Sequence, residues 1–159
     1  AAARAGDGLQ LSRATRWRDG SVAQAQKNQA AWIEAYRRAW TRTDAPPRVQ
    51  ASRAVYPHPD RAAALELVTP GVRRWQSWAP AERGIGNLDV AEYLDADHAL
   101  VGPAPELAAA LAADPSLADI TDLLVSFVPG VPEHDEHLRL LTTTARDLAP
   151  ALGWSPALA

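Results

Sequence analysis

Two periods run through the apolar positions of this chain, and they divide it into strands and helices. Leu9-Gln10-Leu11-Ser12 alternates with a period of two, which predicts a short strand. Ser21 followed by Gln24 has the spacing of a capping box and predicts a helix running to about Arg42. Trp32, Ile33, Tyr36 and Trp40 lie at helical spacing and are expected to form its buried stripe. Asp44-Ala45-Pro46-Pro47 breaks that helix. A second strand is predicted over Arg48–Tyr56, with Val49, Ala51 and Val55 on one face and Gln50, Ser52 and Tyr56 on the other. Asp60 then caps a helix from Arg61 to about Val68, and Pro70-Gly71 interrupts the pattern before Val72–Trp78.

Residues 80–97 read as an irregular insertion, with Gly84, Gly86 and Asn87 close together. His98–Gly102 leads into a helix that has Pro103 near its first turn and Leu107 and Leu111 on one face. Residues 120–127, with their near-continuous apolar centre, predict a parallel strand covered on both faces. The last helix is expected over roughly Glu133–Leu152, with Leu138, Leu141, Ala145, Leu148 and Leu152 on one stripe and Gly153 as its stop.

Strand, helix, strand, helix, extra helix, strand, helix is the order of an α/β protein with a parallel sheet, because helical crossovers bring strands back in the same direction. Three strands do not close a barrel, and they leave two sheet edges to be paired. The chain holds 159 residues and opens on Ala1–Ala5, helix formers with no preceding cap, then Gly6 where a helix end favours positive φ. With no Met anywhere, this start reads as a helix cut partway, so the 159 residues are expected to be a single partial domain, the C-terminal piece of a longer barrel. A net charge of −3 gives no reason to expect nucleic acid or an anionic membrane. The absence of Cys excludes disulfides, thiolate metal sites and a Cys nucleophile. No apolar run is long enough to span a bilayer and no signal architecture opens the chain, so a cytoplasmic location is expected.

Five segments carry a resemblance. Asp7-Gly8-Leu9-Gln10-Leu11-Ser12, after an Ala/Arg helix, is similar to the strand-six region of luciferase-like flavin-dependent monooxygenases. Pro47–Tyr56 resembles their seventh strand, and Val101-Gly102-Pro103-Ala104-Pro105-Glu106-Leu107 resembles the valine-glycine-x-proline-glutamate entry to their late helix. Asp122–Phe127 resembles strand eight, and Ala149–Trp154 the end of the last helix. The resemblance implies the C-terminal part, about three βα units, of a (β/α)8 TIM barrel of the bacterial-luciferase-like type. It implies a monooxygenase or related oxidoreductase acting on a small organic substrate with reduced flavin (FMN) and oxygen, a deazaflavin being the alternative cofactor. The implied partners are the N-terminal half of the same barrel, which carries most of the cofactor contacts, and further copies of the parent protein in a homo-oligomer. A non-catalytic interaction module built on the same strands is the reading from another class.

Barrel enzymes place their chemistry at the C-terminal ends of strands. Those ends offer Ser12 and Arg13, Arg53 and Tyr56, and Ser126 and Phe127. Ser12 and Ser126 either line the flavin pocket or fill a tapered interior. Arg53 either faces the flavin or an anionic substrate, or pairs with a carboxylate; strict alternation puts it on the Val49 face, toward the helices, which favours the pairing. His134 and His137 share a helix face as metal ligands can, yet in a first turn beside Asp135 and Glu136 they read as exposed residues at the positive end of the dipole, and no metal is expected. His58 is a further acid–base candidate. Arg13, Arg16, Trp17 and Arg18 interleave base and aromatic in one loop, a contact for a substrate tail or simply a solvated loop. Gly102-Pro103 offers free helix-start amides, as every helix start does. Trp75 and Trp78 are expected to pack against the barrel or a partner subunit.

Overall fold

The computed structural model describes residues 1–13, 20–78 and 85–155. Arg16, Trp17 and Arg18, and residues 80–84 of the expected insertion, lie outside the described residues. The elements are α1 (Ala2–Ala5), β1 (Leu9–Leu11), α2 (Val22–Arg38), β2 (Val49–Pro57), α3 (Arg61–Trp78), α4 (Val90–Asp97), β3 (Ala99–Gly102), α5 (Ala104–Ala112), a 3₁₀ turn (Pro115–Leu117), β4 (Asp122–Ser126), α6 (His134–Thr143), a π segment (Thr144–Leu148) and α7 (Ala149–Ala151). The protein is α/β with an open sheet in which β2 pairs with β1, β3 and β4, and the β1·β2 and β2·β3 pairs are parallel. The chain divides into two compact units, Ala1–Arg53 with Asp114–Val125, and Ala54–Ala113 with Ser126 onward.

In the first unit β1 runs beside the start of β2 in the register Leu9↔Val49, Gln10↔Gln50, Leu11↔Ala51. Leu11, Val49 and Ala51 are buried together with Ile33 and Tyr36 of α2 and Ala3 of α1. The Tyr36 hydroxyl donates to the Asp7 carbonyl (2.8 Å), which satisfies the phenol and ties α2 to the turn before β1. Ser21 caps α2 by accepting from the Gln24 amide (3.1 Å). The reciprocal half of the expected capping box is replaced, because the Gln24 side chain donates forward to Asn28 instead. The buried stripe of α2 is Ala25, Gln29, Ile33 and Tyr36, and Trp32 is a correction to the expected one. One residue from Ile33 is about 100° around the helix, which turns Trp32 off the core and leaves it 37% exposed.

In the second unit β3 lies beside the end of β2, from Ala54↔Ala99 to Pro57↔Gly102. This fourth strand was not expected, and α4 corrects the reading of 80–97 as irregular throughout. Asp89 and Glu92 form a full capping box for α4, each side chain accepting from the other's backbone amide. Asp60 caps α3 as expected, its carboxylate accepting from the amides of Ala62 and Ala63. α3 then continues through Pro70 to Trp78 rather than stopping there. Its passage past Gly71 requires glycine: a Cβ there would lie 1.7 Å from the carbonyl oxygen of Pro129. Val68 and Val72 of α3, Leu107 and Leu111 of α5, and Leu140 and Leu148 are buried in this unit. Leu138 and Leu141, expected in the core stripe, are instead about half exposed. In β4, whose second face is expected to be covered by further strands of the parent, Leu124 is 48% exposed. None of the helices in the described residues is long and apolar enough to cross a membrane.

Candidate functional site

Two polar clusters stand out, one in each unit, and their exposures separate their roles. The first surrounds Arg53, which is 3% exposed on the helix-facing side of β2, as the alternation from Val49 and Ala51 requires. Its Nε donates to Asp114 Oδ2 (2.8 Å), Nη1 to the Ser52 carbonyl (2.8 Å), and Nη2 to Gln29 Oε1 (3.1 Å) and the Ser116 hydroxyl. Asp114 in turn accepts from the amide (2.9 Å) and hydroxyl (2.7 Å) of Ser116. Burial pushes the Asp114 carboxyl upward, but the Ser116 hydrogen bonds and the Arg53 charge outweigh it and hold the group below the usual carboxylate range. A guanidinium so engaged by protein acceptors is a structural cation that joins β2, α2 and the 3₁₀ turn.

Ser12 is exposed immediately after β1, and its carbonyl accepts from the Gln29 side chain (2.9 Å). Ser126 is half-buried at the last position of β4. A cleft of about 410 Å³ opens at the opposite, N-terminal ends of β1 and β2, beside Trp40, Arg42 and Arg48. Asp44 and Asp122 pair with its two arginines, so it offers a ligand little net charge.

The second cluster sits at the C-terminal end of β2. Tyr56, buried near that end, donates its hydroxyl to Glu136 Oε1 (2.8 Å) in the first turn of α6. Arg139, one turn further on, grips the same carboxylate through Nε on Oε2 (2.7 Å) and Nη2 on Oε1. Its Nη1 reaches the Pro57 carbonyl at only 3.4 Å. Arg139 holds the Glu136 carboxyl below its ordinary value against the opposing effect of burial, with help from the Tyr56 phenol and the nearby His58. Glu136 raises Arg139. Burial, and then the Glu136 charge, push the Tyr56 phenol far above its ordinary value, so it stays protonated and acts as a donor, never as a tyrosinate base. Gly130 is what allows the loop after β4 to cross this ring, because a Cβ there would lie 2.6 Å from the Tyr56 ring edge.

The structure therefore brings Tyr56 and His58 of the expected candidates to one place and adds Glu136 and Arg139, which the sequence reading passed over. The signal was present: a Glu and an Arg three apart on a helix share a face. His137 stacks edge-on against Phe127 at 5.3 Å, and no group of three or more His or acidic residues among those described could hold a metal. The His58 Nδ1 is engaged with the Asp60 backbone (amide 3.1 Å, carbonyl 2.7 Å). Comparison of the chain with protein-family models and with curated proteins returns no match.

Proposed function

We propose that the chain is the C-terminal part of a luciferase-like (β/α)8 barrel whose parent is a flavin-dependent monooxygenase. The observation that carries the reading is the parallel register of β1 on β2 across the helical crossover α2, the repeating unit of such a barrel. The residue pattern of the five resembling segments lies on these elements in order. The exposed apolar faces of β4, at Leu124, and of α6, at Leu138 and Leu141, support further strands and helices of the parent as their cover. The expected partners are then the N-terminal half of the barrel, a small organic substrate and a second copy of the parent.

Among the candidate cofactor residues, Ser12 and Ser126 fit a flavin, since each carries a hydroxyl at or just beyond the C-terminal end of a strand. Arg53 does not fit, because its guanidinium is buried and held by Asp114, Gln29 and Ser116. When bound, reduced FMN supplies the electrons that activate oxygen, and the protein's part is to orient substrate and exclude water. Titration of the polypeptide that carries the whole barrel with reduced FMN and with a reduced deazaflavin tests the reading. Saturable binding of FMN is expected, and preference for the deazaflavin would reassign the cofactor within the same fold. Binding of neither would favour a non-catalytic interaction module.

A further inference from the structure

The edge of β3 leaves backbone groups without partners. Among the described residues β3 pairs with β2 alone, so its other side is a sheet edge. The His58 amide donates to the Gly102 carbonyl (2.9 Å), and Tyr56 lies opposite Val101. A parallel ladder alternates, so Leu100 and Gly102 turn their backbone groups toward β2, while Ala99 and Val101 turn their N–H and C=O outward. Ala99 and Val101 are only 7% and 4% exposed, and among the described residues no hydrogen bond reaches those outward groups. Buried backbone donors and acceptors are nearly always paired, so this edge calls for a partner. The space for one is present. A cleft of about 300 Å³ touches Ala99, Leu100 and Val101 in succession. Successive strand side chains point to opposite faces, so the cleft runs along the edge of β3 rather than over one face.

We infer that the outward edge of β3 is a strand-addition site for an extended peptide segment of a partner protein, one with small apolar side chains and a basic residue. An extended backbone offers the alternating C=O and N–H groups that Ala99 and Val101 lack, and residues at about 3.3 Å each keep step with the strand. Ala91 of α4 and Ala110 of α5 line the walls, which leaves room for small side chains. Glu106 at the cleft is already paired with Arg61 (2.8 Å). The exposed Asp95 has no ion-pair partner among the described residues, so the cleft carries a net negative charge that suits Lys or Arg. A strand that already belongs to a sheet, in a second copy or elsewhere in a parent barrel, brings neighbours that α3, α4 and α5 exclude from so small a cleft. A single extended segment brings none. The inference is independent of whether the parent binds flavin.

The test is NMR-detected hydrogen exchange of the full chain titrated with the capped peptide acetyl-Ala-Val-Ala-Lys-amide. Saturable binding, with exchange of the Ala99 and Val101 amides slowed about tenfold or more, is the expected result. The same peptide with every backbone nitrogen methylated should not bind, and Glu in place of its Lys should weaken binding. Ala110→Leu, at an exposed helix position that tolerates leucine, fills the cleft and should abolish binding while the melting temperature stays near that of the unsubstituted chain. Asp95→Asn should weaken the Lys peptide about threefold and leave the Glu peptide no weaker. Absence of saturable protection at Ala99 and Val101 would overturn the proposal. So would equal binding of the methylated peptide, or equal affinity in a folded Ala110→Leu variant. Equal affinity for the Lys and Glu peptides would overturn the basic assignment. Protection of both amides that grows with protein concentration alone would give the edge to a second copy and overturn the partner segment.

Discussion

Arg53 and Asp114 offer a sharp test of the energetics, because the two side chains are 4% and 0% exposed and face each other 2.8 Å apart. Replacing Arg53 by Met removes its hydrogen bonds to Asp114, Ser52, Gln29 and Ser116 and leaves a buried carboxylate held only by Ser116. Breaking one partner of such a pair costs about 3–5 kcal/mol, and the extra neutral acceptors stranded here put Arg53→Met at the upper end of that range. Asp114→Leu should cost a similar amount, since it leaves a guanidinium without its counter-charge. The double variant, apolar on both sides, should be far less destabilised than the sum of the two, because no uncompensated charge remains. The pH dependence carries the same information with a definite sign. Asp114 is depressed in the folded state, so its stabilisation is present above the unfolded aspartate value of about 3.9 and is lost as pH falls through the lower folded value. Urea denaturation of the four proteins at neutral pH and at about pH 3 measures both effects. Additive single costs, or an Arg53→Met penalty below about 1 kcal/mol, would refute the view that this pair is a desolvated structural tie.

Three further substitutions report on other parts of the chain. Gly71→Ala places a Cβ 1.7 Å from a backbone carbonyl that cannot swing aside, so a loss of about 3 kcal/mol is expected, read as a clear fall in melting temperature. Asp89→Ala removes the side-chain arm of the α4 capping box that accepts from the Glu92 amide, leaving the backbone amide at 89 to donate to Glu92, and should cost about 1 kcal/mol, with faster amide exchange confined to the first turn of α4. Tyr56→Phe deletes a hydrogen bond to a charged group and should cost about 2 kcal/mol. The Glu136 carboxyl should then titrate at higher pH, so the stability it contributes, present above about 4.3 and lost on acidification, begins to fall earlier, as carboxyl NMR would show.

What the sequence made legible were features governed by neighbours along the chain. β1, β2 and β4, the caps Ser21 and Asp60 and the stop at Gly153 follow from local periodicity and local hydrogen bonds. β3 escaped because Ala99–Gly102 is four residues long and follows directly on His98, which ends α4 at φ 47° without a glycine or proline to announce the turn. α4 escaped because the glycines before it drew attention from the Asp89–Glu92 spacing, a signal that was readable. The alternation of β2 correctly placed Arg53 toward the helices, but its partners Gln29, Asp114 and Ser116 lie 24, 61 and 63 residues away. No local rule could name them. Glu136 and Arg139 were visible as a pair on one helix turn, whereas Tyr56, 80 residues earlier, was not visible as their third member.

The largest departure, the last helix, has a geometric cause. Leu138, Leu141, Ala145, Leu148 and Leu152 form a single stripe only if the whole segment is α-helical at about 100° per residue. On such a helix Leu140 and Leu148, eight residues apart, would point about 80° away from each other. Thr144–Leu148 is instead a π segment, whose wider i→i+5 turns advance each residue by less than an α turn does. Five residues of slower rotation remove most of that offset and bring Leu148 onto the face of Leu140, and both are buried. The same rotation parts Leu148 from Leu138 and Leu141, which stay on the outer side. A helix that turned at one rate would set Leu148 about 80° round from Leu140, away from the side on which Glu136 and Arg139 meet Tyr56. The wide turn lets the first half of the segment be set by that polar cluster and the second half by packing.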